Sequence, residues 1–211
     1  MAALGQHNQL RIVKIVDHGA YLDAGDMDEI LLPKRYLTED MHVGEPVDVF
    51  LYLDSDDIPV ATTETPLITV GRCAVLKCKD VNKMGAFLDW GLMKDLLVPF
   101  GEQVTPMKVG QSYLVTAYID DRHGRIVASN RLEKHLSEKS IYHKAGKPVE
   151  MIVIGETDLG YKVVVDQHFL GVLFRDEAPR KLNSNEQVSG FVKEVRADCK
   201  LDLSMRAPNA Q

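Results

Sequence analysis

Cysteine is scarce in this chain: Cys73, Cys78 and Cys199 are the only three in 211 residues. Three thiols cannot form a disulfide framework without one left over, and no second Cys or His pair stands at zinc-finger spacing. Buried, reduced thiols are therefore expected. The seven histidines are scattered and imply no metal site. No apolar run is long enough to span a bilayer, and Met1 to Gln9 lack the charged-then-apolar layout of a secretory leader. A cytoplasmic protein with no membrane partner is the expectation. Catalytic signatures are missing too: there is no Gly-rich phosphate loop, no nucleophile elbow and no zinc-hydrolase motif. Asp120-Asp121 and Asp176-Glu177 fall in turns, where solvated charge accounts for them. Neither an enzyme nor a cofactor is expected, convergence of distant groups being the remaining route to catalysis.

A strongly basic tract is also lacking. The net charge is −6, but it is unevenly spread. Residues 1–66 carry four basic and thirteen acidic side chains, residues 67–146 twelve and eight, and residues 147–211 nine and ten. An acidic first lobe precedes a mildly basic middle. Phosphate backbones avoid the former and tolerate the latter, and tight non-specific binding at physiological salt is not expected.

What the chain does have is a repeat. Gly85-Ala86-Phe87-Leu88-Asp89-Trp90-Gly91 reads as a strand with Ala86, Leu88 and Trp90 on a core face and Phe87 and Asp89 on the other. Gly19-Ala20-Tyr21-Leu22-Asp23-Ala24-Gly25 has the same pattern, and Gly160-Tyr161-Lys162-Val163-Val164-Val165 is a degraded third copy. Two further markers move with it. Leu31-Leu32-Pro33, Leu97-Val98-Pro99 and Val172-Leu173-Phe174 hold one offset from the leading glycine. Gly44, Gly110 and Asn185 hold another, each ahead of a strand-like run. Three markers keeping their spacing through three copies imply three homologous small β domains.

Each copy supplies five short strands, with a longer connection between the third and fourth. This is the outline of a five-stranded Greek-key barrel. The expected fold is mainly β, with three tandem barrels of the oligonucleotide-binding (OB) type. The boundaries are 1–66 for the acidic first barrel, 67–130 for the second, 131–146 for a linking helix, 147–206 for the third barrel and 207–211 for a frayed tail. The helix rests on a capping box between Asn130 and Glu133, Leu132 and Leu136 on one face, and stop signals at Gly146 and Pro148. The oligomeric state stays open.

Exposed aromatics on small barrels stack on the bases of single-stranded nucleic acid, while neighbouring cations meet the phosphates. Phe87 is the leading candidate, since a phenyl ring on the polar parity is otherwise costly, and Lys83 is a nearby cation. Tyr21 is balanced between that role and packing on a neighbour, because its surroundings are acidic. His18 offers another flat ring, and Phe174 serves the third copy. Trp90 and Tyr161 lie on the inward parity and read as core. Arg125 and Lys200 stand at matching places before the last strand, where a cation can pair with phosphate or stack on a base. Asp121 orients the Arg125 guanidinium or caps its hairpin.

These residues resemble the S1 RNA-binding domain, a five-stranded OB-type barrel. The match lies in the Gly-Ala-aromatic-aliphatic-Asp strand, the following aliphatic pair, and the closing segments Arg125-Ile126-Val127-Ala128-Ser129 and Lys200-Leu201-Asp202-Leu203-Ser204. Three such domains with a helix before the third are similar to the conserved virulence factor B family of bacterial RNA-binding regulators. The resemblance runs from about Leu10 to Met205. It implies an RNA face made by an aromatic before the strand-two glycine (here His18, Met84 and Leu159), a second one two residues after it (Tyr21, Phe87 and Lys162), and a His after strand three (Pro33, Pro99 and Phe174). An Asp–Arg pair on the last hairpin completes that face, and survives only as Asp121 and Arg125. The second copy matches best. The resemblance implies single-stranded RNA as partner and post-transcriptional control as role. A protein-interaction scaffold is the alternative, as is a DNA-binding regulator acting through the C-terminal winged-helix domain that such proteins usually carry and that is not found after the third barrel here.

Overall fold

The computed structural model describes residues 1–209. The first five strands are β1 (His7–Val16), β2 (Gly19–Asp23), β3 (Glu29–Pro33), β4 (Pro46–Leu53) and β5 (Pro59–Thr62). The next five are β6 (Cys73–Asn82), β7 (Gly85–Asp89), β8 (Leu96–Pro99), β9 (Ser112–Ile119) and β10 (Ile126–Ser129). The last five are β11 (Pro148–Glu156), β12 (Gly160–Val165), β13 (Phe169–Phe174), β14 (Gln187–Val195) and β15 (Leu201–Ser204). The first and third sets close into barrels in the orders β1-β2-β3-β5-β4 and β11-β12-β13-β15-β14, while the middle set forms a sheet in the order β10-β9-β6-β7-β8. The expected architecture of three five-stranded OB-type barrels is what the chain adopts.

The three repeat markers each have a structural cause. Gly85 sits at φ 148°, and a Cβ there would lie 2.2 Å from the Val98 carbonyl oxygen on β8. Gly19 and Gly160 face Leu32 O and Leu173 O in the same way. No side chain fits where strand three crosses so close. The second marker, Gly44, Gly110 and Asn185, adopts positive φ. Their N–H groups donate to the carbonyls of Ile12, Cys78 and Val153, each the last residue before a bulge in the first strand of its set. The bulge bends that strand so that it pairs on both sides. The aspartates that end the strand-two motif also hold their own turns, since the Gly25 and Gly91 N–H groups donate to Asp23 Oδ1 and Asp89 Oδ1.

Alternation puts the core where it was expected. Leu22, Leu32, Val49 and Leu51 fill the first barrel, and Tyr161, Val163, Leu173 and Leu203 the third. Ala86, Leu88, Leu96 and Val98 are buried in the middle sheet. Trp90 is buried as predicted, with Phe50 and Tyr52 of β4 as its edge-on ring neighbours at 5.6 and 6.5 Å.

The linking helix is a correction. Only one turn forms, α1 (Leu132–His135). The capping box is not made: the Asn130 amide donates to Leu114 O, and Glu133 pairs with Lys162. After Leu136 the chain is extended, and Ser137 and Lys139 bridge to Phe169 and Lys200. Leu132 nevertheless buries itself with Cys73, Leu114, Ile152, Val164 and Leu170. Bridges to the ends of β13 and β15 have overridden a weak helical preference. The last two residues of the expected tail, 210 and 211, lie outside the described residues.

By compactness the chain divides into two units. One holds Met1–Val70, Leu76–Gln111 and Ala117–Ala128, and the other Gly71–Val75, Ser112–Thr116 and everything from Ser129. Among the described residues no helix is long and apolar enough to cross a membrane.

Two outcomes are expected. Gly85→Ala lowers stability by about 2–3 kcal/mol, read by denaturant unfolding, because the obstacle is a backbone carbonyl that cannot move aside. A thiol reagent added to native protein modifies Cys199 first, because Cys73 and Cys78 are buried and Cys199 is not. Burial pushes the Cys73 thiol up to about 12, which removes its reactive thiolate. Mass mapping of the labelled peptides reads the order.

Candidate nucleic-acid interface

In the first barrel the structure brings His18 and Tyr21 together. Their rings meet edge-on at 5.8 Å, and His18 Nε2 lies 3.1 Å from the Tyr21 hydroxyl. Lys14 from β1 stands over the Tyr21 ring at 4.8 Å and pairs with Glu29 at 3.1 Å. A base approaching that face of Tyr21 has to displace the lysine.

Phe87 in the second barrel is half-buried rather than fully exposed. It lines a cavity of about 270 Å³ that also touches β8 at Leu97 and the start of β10 at Ile126. The far wall comes from the first barrel, through Tyr52, Ser55 and Asp57 of β4 and the β4–β5 hairpin. Arg125 lines this cavity as well, so Phe87 and Arg125 do converge. The guanidinium, however, is engaged: Arg125 Nη2 lies 2.5 Å from Asp57 Oδ2. Lys94 adds a hydrogen bond to Asp54 O at 2.8 Å. The acidic first lobe thus meets its basic counterpart within the same unit.

The sequence offers Asp121 as the residue that orients Arg125 or caps the hairpin. The orienting partner is instead Asp57, and the cap is Asp120, whose Oδ1 accepts the Arg122 N–H and whose Oδ2 lies 2.7 Å from His123 Nδ1. Asp54 closes the equivalent hairpin in the first barrel, accepting the N–H groups of Asp56 and Ile58. Lys83 is exposed in the β6–β7 turn and is not among the residues that line the cavity.

The third barrel gathers more charge. Lys162 on β12 and Lys200 before β15 line one cavity of about 380 Å³, floored by Leu170, Gly171 and Val172 of β13. Arg196, which sequence reasoning passed over, joins them. It stands at the hairpin position held by Asp54 and Asp120 in the other copies, and that charge reversal was the signal available in the sequence. Each cation has a carboxylate: Lys162 with Glu133, Lys200 with Glu138 at 3.1 Å, and Arg196 with Asp202 at 3.3 Å. The Lys200 ammonium holds the Glu138 carboxyl below the usual range. Glu133 and Glu138 are exposed, and exposed pairs contribute about 0–1 kcal/mol, so a phosphate can replace either glutamate at little cost; Asp202 is buried and stays with Arg196. Phe174 is half-buried and does not line this cavity.

Residues 4–64 match the family model of the S1 domain. Across 95% of its length the chain is 31% identical to the uncharacterized protein YitL of Bacillus subtilis (strain 168), covering 70% of that protein. The chain belongs to the YitL family. Among solved structures it resembles a multidomain protein with nucleic acid binding domains from Streptococcus pneumoniae TIGR4, with a TM-score of 0.52 and 19% identity over 99% of this chain and 75% of that one. At that identity the likeness is one of fold.

Asp202 is buried, and that burial raises its carboxyl above the ordinary value, opposed by Arg196. A group raised in the folded state contributes most stability below its unfolded value and loses it as pH rises through the folded one. Asp202→Asn is therefore expected to raise the thermal midpoint at neutral pH. The gain should vanish as pH falls to the ordinary aspartate range, as followed by circular dichroism melts across pH.

Proposed function

We propose that the chain binds single-stranded RNA and acts in post-transcriptional control. Lys162, Arg196 and Lys200 of the third barrel take backbone phosphates, and Phe87 of the second barrel offers a ring to a base. The observation that carries this reading is the convergence of three cations from separate segments on one cavity of an S1-like barrel. It is supported by the S1 match of residues 4–64 and by the nucleic acid binding domains named for the S. pneumoniae relative in fold. The resemblance to the conserved virulence factor B family points the same way. Arg125 contributes only when phosphate competes with Asp57, and Tyr21 and His18 only when Lys14 moves aside, so the first barrel acts mainly as a wall to the second. Lys83 and Phe174 line neither cavity and are given no part in this reading.

The chemistry suits single strands. A flat half-buried ring stacks on any base, and separated cations follow a flexible backbone. The mixed charge of the chain keeps the affinity modest and steeply dependent on salt.

The test is fluorescence anisotropy with an unstructured RNA oligonucleotide over a salt series. Lys162→Ala with Lys200→Ala is expected to weaken binding and to reduce the salt slope by about 0.7 for each phosphate no longer neutralised. Phe87→Ala is expected to weaken binding by about 5- to 150-fold, the range for one stacked base. Binding unchanged in both variants, or equal affinity for duplex DNA, would overturn the reading.

A further inference from the structure

Three of the seven histidines, scattered in sequence, line one cleft on the second unit. His135, His143 and His168 gather with Tyr142, Phe169 and Lys147 around about 540 Å³. Among the described residues no cluster of three or more His, Cys, Asp or Glu side chains is arranged to hold a metal ion. The cleft is instead aromatic, with one lysine, Lys147, and one carboxylate, Asp166, in its lining. Tyr142 is 71% exposed, and its ring lies 6.1 Å from that of Phe169.

The cleft is also rigid. His143 is buried, with Nδ1 2.6 Å from Ser140 Oγ and Nε2 2.9 Å from Asp166 Oδ2. Its ring meets Phe169 edge-on at 5.3 Å. The Ser-His-Asp alignment holds the imidazole rather than performing acyl chemistry: Ser140 is 2% exposed and its oxygen already accepts the Tyr142 N–H. His143 thereby holds the Phe169 ring in place, and a wall fixed in this way loses little side-chain entropy when a flat ligand packs beside it.

Lys147 and Asp166 both line the cleft. The Asp166 carboxylate is already held, by His143 Nε2 and by the Glu150 N–H, so Lys147 is the charged group placed to meet an anion there.

We propose that this cleft is a second single-stranded RNA contact, in which a nucleobase stacks on Tyr142 beside Phe169 and the adjoining phosphate meets Lys147. The inference rests on the RNA-binding reading, and it adds a surface outside the strands and hairpin that the repeat pointed to. An RNA strand engages the second unit at two places, and Tyr142 anchors one of them.

The probe is a fluorescein-labelled oligouridylate added to the full chain. Tyr142→Ala with Lys147→Ala is expected to weaken binding about 5- to 150-fold, as for one stacked base, and to reduce the salt slope. Because the single native tryptophan, Trp90, is buried, Tyr142→Trp supplies a separate signal: its fluorescence should be quenched as RNA binds. Unchanged affinity and no quenching, in a series where Lys162→Ala with Lys200→Ala weakens binding, would overturn the cleft and leave the barrel reading standing. Native protein that binds no RNA would overturn both. A Tyr142→Ala variant that loses self-association in sedimentation while keeping its RNA affinity would mark the cleft as a protein contact and overturn the proposal.

Discussion

The structure depends on one close approach, repeated three times. Where strand three crosses strand two, the carbonyls of Leu32, Val98 and Leu173 come within 2.2–2.4 Å of the place where a Cβ would stand on Gly19, Gly85 and Gly160. The absence of that carbon lets the start of strand two lie directly against strand three. The bulge in strand one and the left-handed residue that seals it then set the curvature needed for five strands to close. The outward positions of strand two, which bear Tyr21, Phe87 and Lys162, are placed by this geometry.

The same scaffold carries different chemistry because its exposed positions are free to vary. At the fourth-strand hairpin, Asp54 and Asp120 satisfy their own turn N–H groups. Arg196 keeps the hairpin and lends a cation to the cavity. The first barrel turns its acidic hairpin onto the second through Asp57 and Arg125, and Phe50, Tyr52 and Trp90 pack behind that contact. Electrostatic complementarity inside one unit thus occupies a cation that a free second barrel would offer to phosphate. In the third barrel the cations meet two glutamates and an aspartate of their own unit, and both glutamates are well exposed.

Much of this was legible in the residues. The glycine, aliphatic and left-handed markers reported real backbone constraints, so their spacing predicted three barrels, and parity placed Trp90 and Tyr161 in the core. Lys162 and Lys200, marked separately, do share a cavity. The helix expected before the third barrel shrinks to one turn because local capping signals say nothing about distant backbone, and Ser137 and Lys139 found bridge partners at the start of β13 and just before β15. A further regularity lies at the ends of the closing strands: Thr62, Ser129 and Ser204 each accept, through the hydroxyl, the N–H two residues on. Arg196 was missed, although the change from Asp54 and Asp120 to a cation is visible in the sequence, because charge in a hairpin is ordinarily accounted for by solvent.

By itself the sequence determined the number of barrels, the five strands of each and which residues face inward, since these follow from local sterics and from period-two alternation along each strand. Only the tertiary structure decided which cations remain available to a ligand. The partner of Arg125 lies 68 residues away, and the histidines of the Tyr142 cleft come from separate segments. Pairings across such distances arise when segments far apart in the chain pack within one unit, and no local pattern records them.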